Sequence, residues 1–468
     1  MSGAPRRVYR WGRTGPERLS VRANFAWTMA SSIIFQTCQW LIIVTLAHSA
    51  GSVAVGRFAF ALAVTTPPLL FAANNLRVAL ATDARSEFRF VDYLILRVVS
   101  LTVATSGIAV LAFALCRTRA AALLIMLVAI AKCFDLISDT VYGLLQKYER
   151  MDRIGVSRII QGILQVFAIN VAFRLTGSLL SAVAVWAVTS GVITFSYDLR
   201  STLLAVRRHP AEIAWGGARR CATRVRGLFT KCLPLAGTIV LGSLVGSVPV
   251  YALEHWRNSG EVGVFAAQIR LVAAIGLCFA ALADVATPRL ARYYAGQQAE
   301  FHRLARRLLL IGAGNGLFAV VGTALAGGML LRLVYGPQYA DVGLAVLLVL
   351  AMAGNLVAPA AAASAAHRYG ILLVAGVAQL VVTGGVAVAL TGRLGTAGAA
   401  TGLVVGQVAY TGLLLVAIRR LLTAQPPLAE PVLETSGAPQ PPVATAPAPR
   451  AEMPLPSSVR ASGLRSES

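Results

Sequence analysis

Three charged residues share one otherwise apolar stretch of this sequence: Lys132, Asp135 and Asp139. Spacings of three and four place them on one face of a helix. A charge near the centre of a membrane-spanning helix costs at least about 2.5–3.5 kcal/mol, so such residues are functional candidates by default. Two readings stand side by side. In one, the carboxylates form a coupling or gating site that exchanges a proton or a sodium ion. In the other, Lys132 pairs with Asp135 to fix helix packing, and Asp139 is solvated at the helix end. Arg77, in Asn74-Asn75-Leu76-Arg77, and Arg270 offer a different chemistry. Guanidinium groups bind phosphate oxygens in bidentate fashion, so these two, with the neighbouring Asn75, suit an anionic headgroup. The competing reading is that each arginine snorkels to an interface. Asp284 is a further gating candidate and a candidate partner for Arg77.

Other chemistries find little support. The six cysteines form no CxxC pair, and no histidine clusters with them, so neither a zinc site nor a redox motif is indicated. No phosphate-binding loop, nucleophile elbow or metal motif occurs, nothing points to ATP hydrolysis, and no cofactor is called for.

The elements that must position these residues are membrane spans. Of 468 residues, 57% are hydrophobic and 13% charged, and mean hydropathy is +0.71. Soluble domains carry about 25% charged residues. The apolar residues come in runs of about 20, the length that crosses a bilayer. Spans are expected near 24–47, 58–81, 94–115, 120–144, 157–175 and 178–198, then near 232–253, 263–286, 308–330, 341–364, 370–391 and 397–418. The short 157–175 run and its neighbour are the least separated pair. The net charge of +23 does not point to nucleic acid, because Arg and Lys sit mostly between the apolar runs. With the N-terminus inside, inner segments hold about 29 Arg or Lys and outer loops about seven. That asymmetry predicts a membrane protein with both termini in the cytoplasm. The Arg-rich start is not a cleavable signal, since the apolar run after it is too long. The organisation expected is a basic tail (1–23), a six-helix bundle (24–198), a basic linker (199–231), a second six-helix bundle (232–421) and a disordered Pro/Ala/Ser-rich tail (422–468).

An internal repeat relates the halves. Ser52-Val53-Ala54-Val55-Gly56-Arg57-Phe58-Ala59 and Ser259-Gly260-Glu261-Val262-Gly263-Val264-Phe265-Ala266 match in register at Ser, Val, Gly, Phe and Ala. They lie six helices apart, each where an outer loop enters a helix. Six is even, so the halves share one orientation about an axis along the membrane normal. In this register Asp284 corresponds to Arg77. Pro67-Pro68 and Pro249 are expected to bend their helices. Gly398, Gly402 and Gly406, and Gly242 with Gly246, are expected to let helices approach closely. Trp27, Trp40 and Trp256 are expected to anchor interfaces or fill packing gaps. All outer loops are short, which argues against a polymerase or ligase with external catalytic residues.

Four segments together resemble the polysaccharide flippase family of the MOP (multidrug/oligosaccharidyl-lipid/polysaccharide) exporter superfamily. Gly51 to Ala61 resembles that family's G-x-x-x-x-G-x-F/Y-A opening of the second helix. Tyr142-Gly143-Leu144-Leu145-Gln146-Lys147-Tyr148-Glu149-Arg150-Met151 is similar to its G-x-x-Q-x-x-x-R/E-M turn. The segment Leu331 to Ala340 resembles an L-x-x-L-x-G-x-x-Y loop, and Gly395 to Ala400 resembles the start of the twelfth helix. The resemblance implies two parallel six-helix bundles flanking a cavity, a MATE-like all-α architecture without enzymatic activity. It implies an oligosaccharide on undecaprenyl diphosphate as substrate, with Arg77 and Arg270 matched to the diphosphate. A polysaccharide polymerase and a chain-length regulator are the implied protein partners, with membrane lipid around the bundle.

Overall fold

The computed structural model describes residues 20–83, 86–116, 118–208, 210–213, 217–294, 297–353 and 369–423. Most of both expected tails lies outside them. The described residues are helical almost throughout. In chain order the helices are α1 (Val21–Ala73), α2 (Leu76–Thr82), α3 (Phe90–Leu115), α4 (Arg119–Lys147), α5 (Met151–Thr176), α6 (Leu179–Ile193) and α7 (Leu199–Arg208). After the linker come α8 (Ala218–Trp256), α9 (Ser259–Tyr294), α10 (Gln298–Tyr335), α11 (Val342–Ala353), α12 (Tyr369–Leu394) and α13 (Thr396–Thr423). Nine described helical stretches are long and apolar enough to cross a membrane, and α11 is a shorter apolar helix.

The first stretch holds two spans. Gly51 takes φ 76 and ψ 179, a conformation that only glycine adopts cheaply, and it breaks α1 into limbs 21–50 and 52–73. Counting both limbs gives ten, and the 36-residue α9 with the shorter apolar α11 completes a polytopic all-α membrane protein of twelve spans in two parallel six-helix bundles. In the first bundle α1 packs on α3, α4 and α5, and α6 packs on α4 and α5. In the second, α8 packs on α9 and α12, and α9 packs on α10 and α11. A run of buried Ala, Val, Leu and Ile centred on the second limb of α1, α4 and Trp186 forms the first core.

The linker differs from the expected loop. Residues 199–208 are helical, and α8 begins at Ala218, well before the apolar run near 232. Arg and Lys are good helix formers, so the helix extends past the span into the charged stretch.

The halves meet at the repeat itself. At the Gly51 end, the second limb of α1 crosses α9 so closely that a methyl on Gly56 would overlap the Ser259 carbonyl. One on Gly263 would likewise overlap the Ser52 carbonyl. The repeat offset of 207 carries Ser52 to Ser259 and Gly56 to Gly263, so the two contacts are each other's equivalents and the crossing is a pseudo-two-fold contact of the repeat with its own copy. Trp40 Nε1 donates to the Tyr335 hydroxyl (2.8 Å), and His48 Nε2 lies 2.9 Å from the Val334 carbonyl, adding further ties at this end. Pro67 adds another. It has no N–H for the Ala63 carbonyl four residues before it, and that carbonyl instead accepts from the Tyr251 hydroxyl of α8 (2.6 Å).

The glycine expectations divide. Methyls on Gly398, Gly402 and Gly406 would run into Leu390, Thr383 and Ala387 of α12, so this row permits the close packing of α12 on α13. No described atom lies within 4 Å of a Cβ placed on Gly242 or Gly246. That pair is therefore not a packing contact among the described residues, because α8 turns this face away from its described neighbours.

Candidate functional site

Among the described residues, the largest collection of buried and half-buried polar groups lies in the first bundle. Its centre is Arg77. The chain turns sharply at Asn74 (φ 46) and Asn75 (φ 49), both left-handed, and resumes as α2. This break carries Arg77 back toward α4. Gly143 makes the approach possible, since a Cβ there would sit 3.1 Å from the Arg77 carbonyl oxygen. Arg77 Nε then donates to Gln146 (3.2 Å), and Nη1 reaches Asp139 (3.3 Å). The guanidinium also lies 5.7 Å from the centre of the Tyr142 ring. The Tyr-Gly-x-x-Gln segment singled out in the sequence is thus the cradle for Arg77. Asn75 makes no side-chain cap to α2.

Asp139 is not solvated alone. Arg97 of α3, wholly buried, points an Nη2 at it (3.7 Å), donates Nε to Thr140 (2.8 Å) and Nη1 to the Ala72 carbonyl (3.4 Å). Arg158 of α5 stands over the Phe35 ring (4.9 Å) and bonds Ser32 (3.3 Å). One carboxylate, Asp139, therefore faces two arginines directly. Next to the break, both side-chain polar atoms of the buried Asn74 lack partners among the described residues.

Lys132 and Asp135 form the pair read from their spacing, at 3.1 Å. The structure surrounds it with polar groups the sequence did not flag. Asp135 Oδ1 accepts from Gln161 (2.6 Å) and Gln165 (3.4 Å), and Gln165 is tied to Ser190 (2.9 Å) and Gln39 (2.8 Å). Lys132 lies over the Trp186 ring (5.1 Å). Deeper still, buried Asp198 accepts from Ser157 (2.6 Å), which bonds the Tyr142 hydroxyl (2.8 Å). Asp198 closes a π-helical turn, Thr194–Asp198, that ends the sixth span. Arg97 was legible as a charge inside the 94–115 run. Gln161 and Gln165 carried no charge and no motif, so only the packing of α4 against α5 reveals them.

Arg270 belongs to the other bundle and another depth. It lies seven residues, about two helical turns, beyond Gly263 on the same face of α9. That face meets α1 at the crossing. Arg270 is exposed and makes no hydrogen bond or ion pair among the described residues. An unpaired guanidinium in such a helix must look into a water-filled space. By helical rise, Arg270 sits roughly 10 Å from the crossing and Arg77 more than about 25 Å. The structure thus does not gather the two arginines into one clamp. The Asp284 side chain lies outside the described residues, and the partners of Arg77 are Asp139 and Gln146.

No family model matches the chain. It is 25% identical over 322 residues to a capsular polysaccharide biosynthesis protein, CapF, of Staphylococcus aureus, covering 68% of this chain and 78% of that protein. Among solved structures, it matches the inward-facing conformation of a multidrug resistance MATE family transporter of the MOP superfamily. The TM-score is 0.65 at 14% identity, over 83% of this chain and 94% of the other. It also matches the lipid II flippase MurJ in an inward closed conformation, with TM-score 0.65 and 11% identity over 85% and 87%. The chain therefore has the fold of the MOP exporter superfamily, a fold shared by flippases and exporters.

Proposed function

We propose that this chain is a flippase that moves undecaprenyl-diphosphate-linked oligosaccharide units across the bacterial inner membrane for surface polysaccharide. The observation that carries the reading is a surplus of cationic groups at Arg77, Arg97 and Arg270. Arg77 and Arg97 outnumber the single carboxylate they face, and Arg270 has no ion pair among the described residues. A cationic drug would meet repulsion from Arg270 and from the surplus at Asp139, whereas a diphosphate meets partners. The similarity to a capsular polysaccharide biosynthesis protein and to a lipid II flippase supports the same class of lipid-linked substrate.

In this mechanism the Arg77 end faces the cytoplasm, as the excess of Arg and Lys in those loops requires. The headgroup enters there and exchanges into the Arg77–Asp139–Gln146 cradle. Arg270, nearer the closed end, receives the diphosphate as the bundles rock and the Gly56–Gly263 crossing parts. The Lys132–Asp135–Gln161 cluster is the proposed coupling site, where a cation binding at Asp135 would release Lys132. Asp139, shared by two arginines, and Asp284 on the opposite bundle are proposed gating groups. The polymerase and chain-length regulator that use the product are the proposed partners.

A clean deletion in a strain without a second flippase tests the reading. The expected result is loss of surface polysaccharide with lipid-linked units retained inside. Intact polysaccharide together with new drug sensitivity would instead identify an exporter of cationic compounds.

A further inference from the structure

One buried carboxylate stands outside this route. Asp198 is 1% exposed and sits where the sixth span ends, on the π-helical turn Thr194–Asp198. Such turns are rare and occur frequently at functional sites. Hydroxyl groups surround the carboxyl. Ser157 Oγ of α5 lies 2.6 Å from its Oδ1, and Tyr142 Oη of α4 lies 2.8 Å from Ser157. Ser138 of α4, bonded to Thr194 at 2.9 Å, faces the same carboxyl. These hydroxyl residues are all buried. Oδ2 is buried as well and has no hydrogen-bond partner among the described residues.

The charges around Asp198 do not balance it. Asp135 of α4 acts on it with the same sign, and the other titratable groups beside it are Tyr142 of α4 and Tyr197 of its own turn. Arg150 and Arg153 of α5 act on Tyr197. Helix α6 carries no charged residue, and α7 offers Thr202, whose hydroxyl donates to the Asp198 backbone carbonyl (2.8 Å). No cation pairs with the Asp198 carboxyl among the described residues. By contrast, Asp135 has Lys132, and Asp139 has Arg77 and Arg97. A buried carboxylate with no cation and one oxygen unserved takes up a proton rather than hold its charge. A carboxylic acid fits these surroundings. Its Oδ1–H donates to Ser157 Oγ, and Ser157 donates to Tyr142 Oη. Oδ2 is then a neutral carbonyl oxygen, which costs less to leave unpaired than a charged one.

We propose that Asp198 is a proton-binding site of the first bundle, separate from the Lys132–Asp135 pair. When this end of the bundle opens to water, the O–H bond at Oδ1 breaks and a water molecule takes the proton. The hydroxyl chain then reverses, with Tyr142 donating to Ser157 and Ser157 to Oδ1. The chain ends at Tyr142, whose ring centre lies 5.7 Å from the Arg77 guanidinium, so Asp198 and the Arg77 station share one side chain. The site does not depend on which substrate the protein carries.

The test reads the proton itself, by infrared spectroscopy of the full chain in nanodiscs with no substrate present. Aspartate is labelled with heavy carbon at its side-chain carboxyl, which sets its C=O stretch apart from that of glutamate. An ordinary aspartate titrates near about 3.9, so exposed ones give no acid band at neutral pH. The wild type is expected to show a protonated aspartic acid band at neutral pH that is lost at alkaline pH. Asp198→Asn should remove the band. Ser157→Ala takes away the acceptor of Oδ1–H and should shift the band in frequency without abolishing it, a response that an ionised Asp198 would not give. Absence of an acid band from the wild type at neutral pH would overturn the proposal. So would a band that survives Asp198→Asn and disappears in Asp135→Asn. Loss of the band on adding sodium chloride but not potassium chloride, at constant pH, would make sodium the ligand and overturn it too. The wild-type spectra decide even where a variant folds poorly. An Asp198 band together with normal polysaccharide in the deletion strain would sink the flippase reading and leave the proton site standing. Loss of polysaccharide in the deletion with no such band would do the reverse.

Discussion

Arg77 shows how much a single position depends on its surroundings. Its charge sits opposite Asp139 and Gln146, with Gly143 making room for its backbone. Arg77→Glu would place two carboxylates together and remove the anion partner. Transport is expected to be lost while the protein stays in the membrane, as read by immunoblot of membranes beside polysaccharide assay. Arg270→Glu is expected to behave likewise, and full activity of both variants would remove them as diphosphate stations. Asp135 separates two roles. Asp135→Asn keeps the shape of the Gln161 and Gln165 contacts but removes the charge that holds Lys132. If Asp135 couples transport to a cation, the dependence of transport rate on pH or sodium disappears in this variant. A purely structural pair would leave that dependence intact and lower only thermal stability.

At the scale of elements, the crossing of α1 with α9 is the contact most sensitive to volume. Gly56→Val cannot be accommodated without parting the bundles, because the obstacle is the Ser259 backbone rather than a flexible side chain. The expected outcome is a shift toward conformations open at that end. A paired variant reports on it directly. A Cβ on Gly260 would lie 3.7 Å from a Val53 methyl, so Val53→Cys with Gly260→Cys, in a chain lacking its six native cysteines, is expected to crosslink when that end is closed. Crosslinking should stop transport and reduction restore it, and transport that continues through the crosslink would show that the crossing does not open. The tie between α3 and α8 has a different character. Asp92→Asn weakens the two-pronged contact with the half-buried Arg224, a change worth about 1.5–3 kcal/mol. A lowered melting temperature in detergent, with Arg224→Ala adding little further, is the signature of one shared interaction.

For the whole molecule, the decisive property is orientation. The charge asymmetry of the loops predicts that Thr118, between α3 and α4, faces outward and Ser86, between α2 and α3, faces the cytoplasm. Both are exposed. Thr118→Cys should react with a membrane-impermeant thiol reagent in intact cells, and Ser86→Cys only after permeabilisation. The opposite pattern would invert the transport direction proposed from the Arg77 end.

The sequence alone determined the twelve spans, their parallel halves and the superfamily resemblance. These follow from run length, loop charge and a repeat offset of 207, all local or periodic signals written along the chain. It also located charged residues inside spans, since any such charge stands out against an apolar background. The linker was less legible, because helix α8 continues past its apolar run on residues that read as a loop by polarity. Which charges meet was decided only by tertiary structure. Asp139 could not be assigned to Arg77 and Arg97 from spacing, because the three lie on three helices and their meeting depends on the turn at Asn74-Asn75. Nor could the repeat reveal that it packs against its own copy, since a sequence match states likeness and not contact. The depth that separates Arg270 from Arg77 has the same origin. It is set by where two helices cross, and the crossing exists only once the two bundles are packed together.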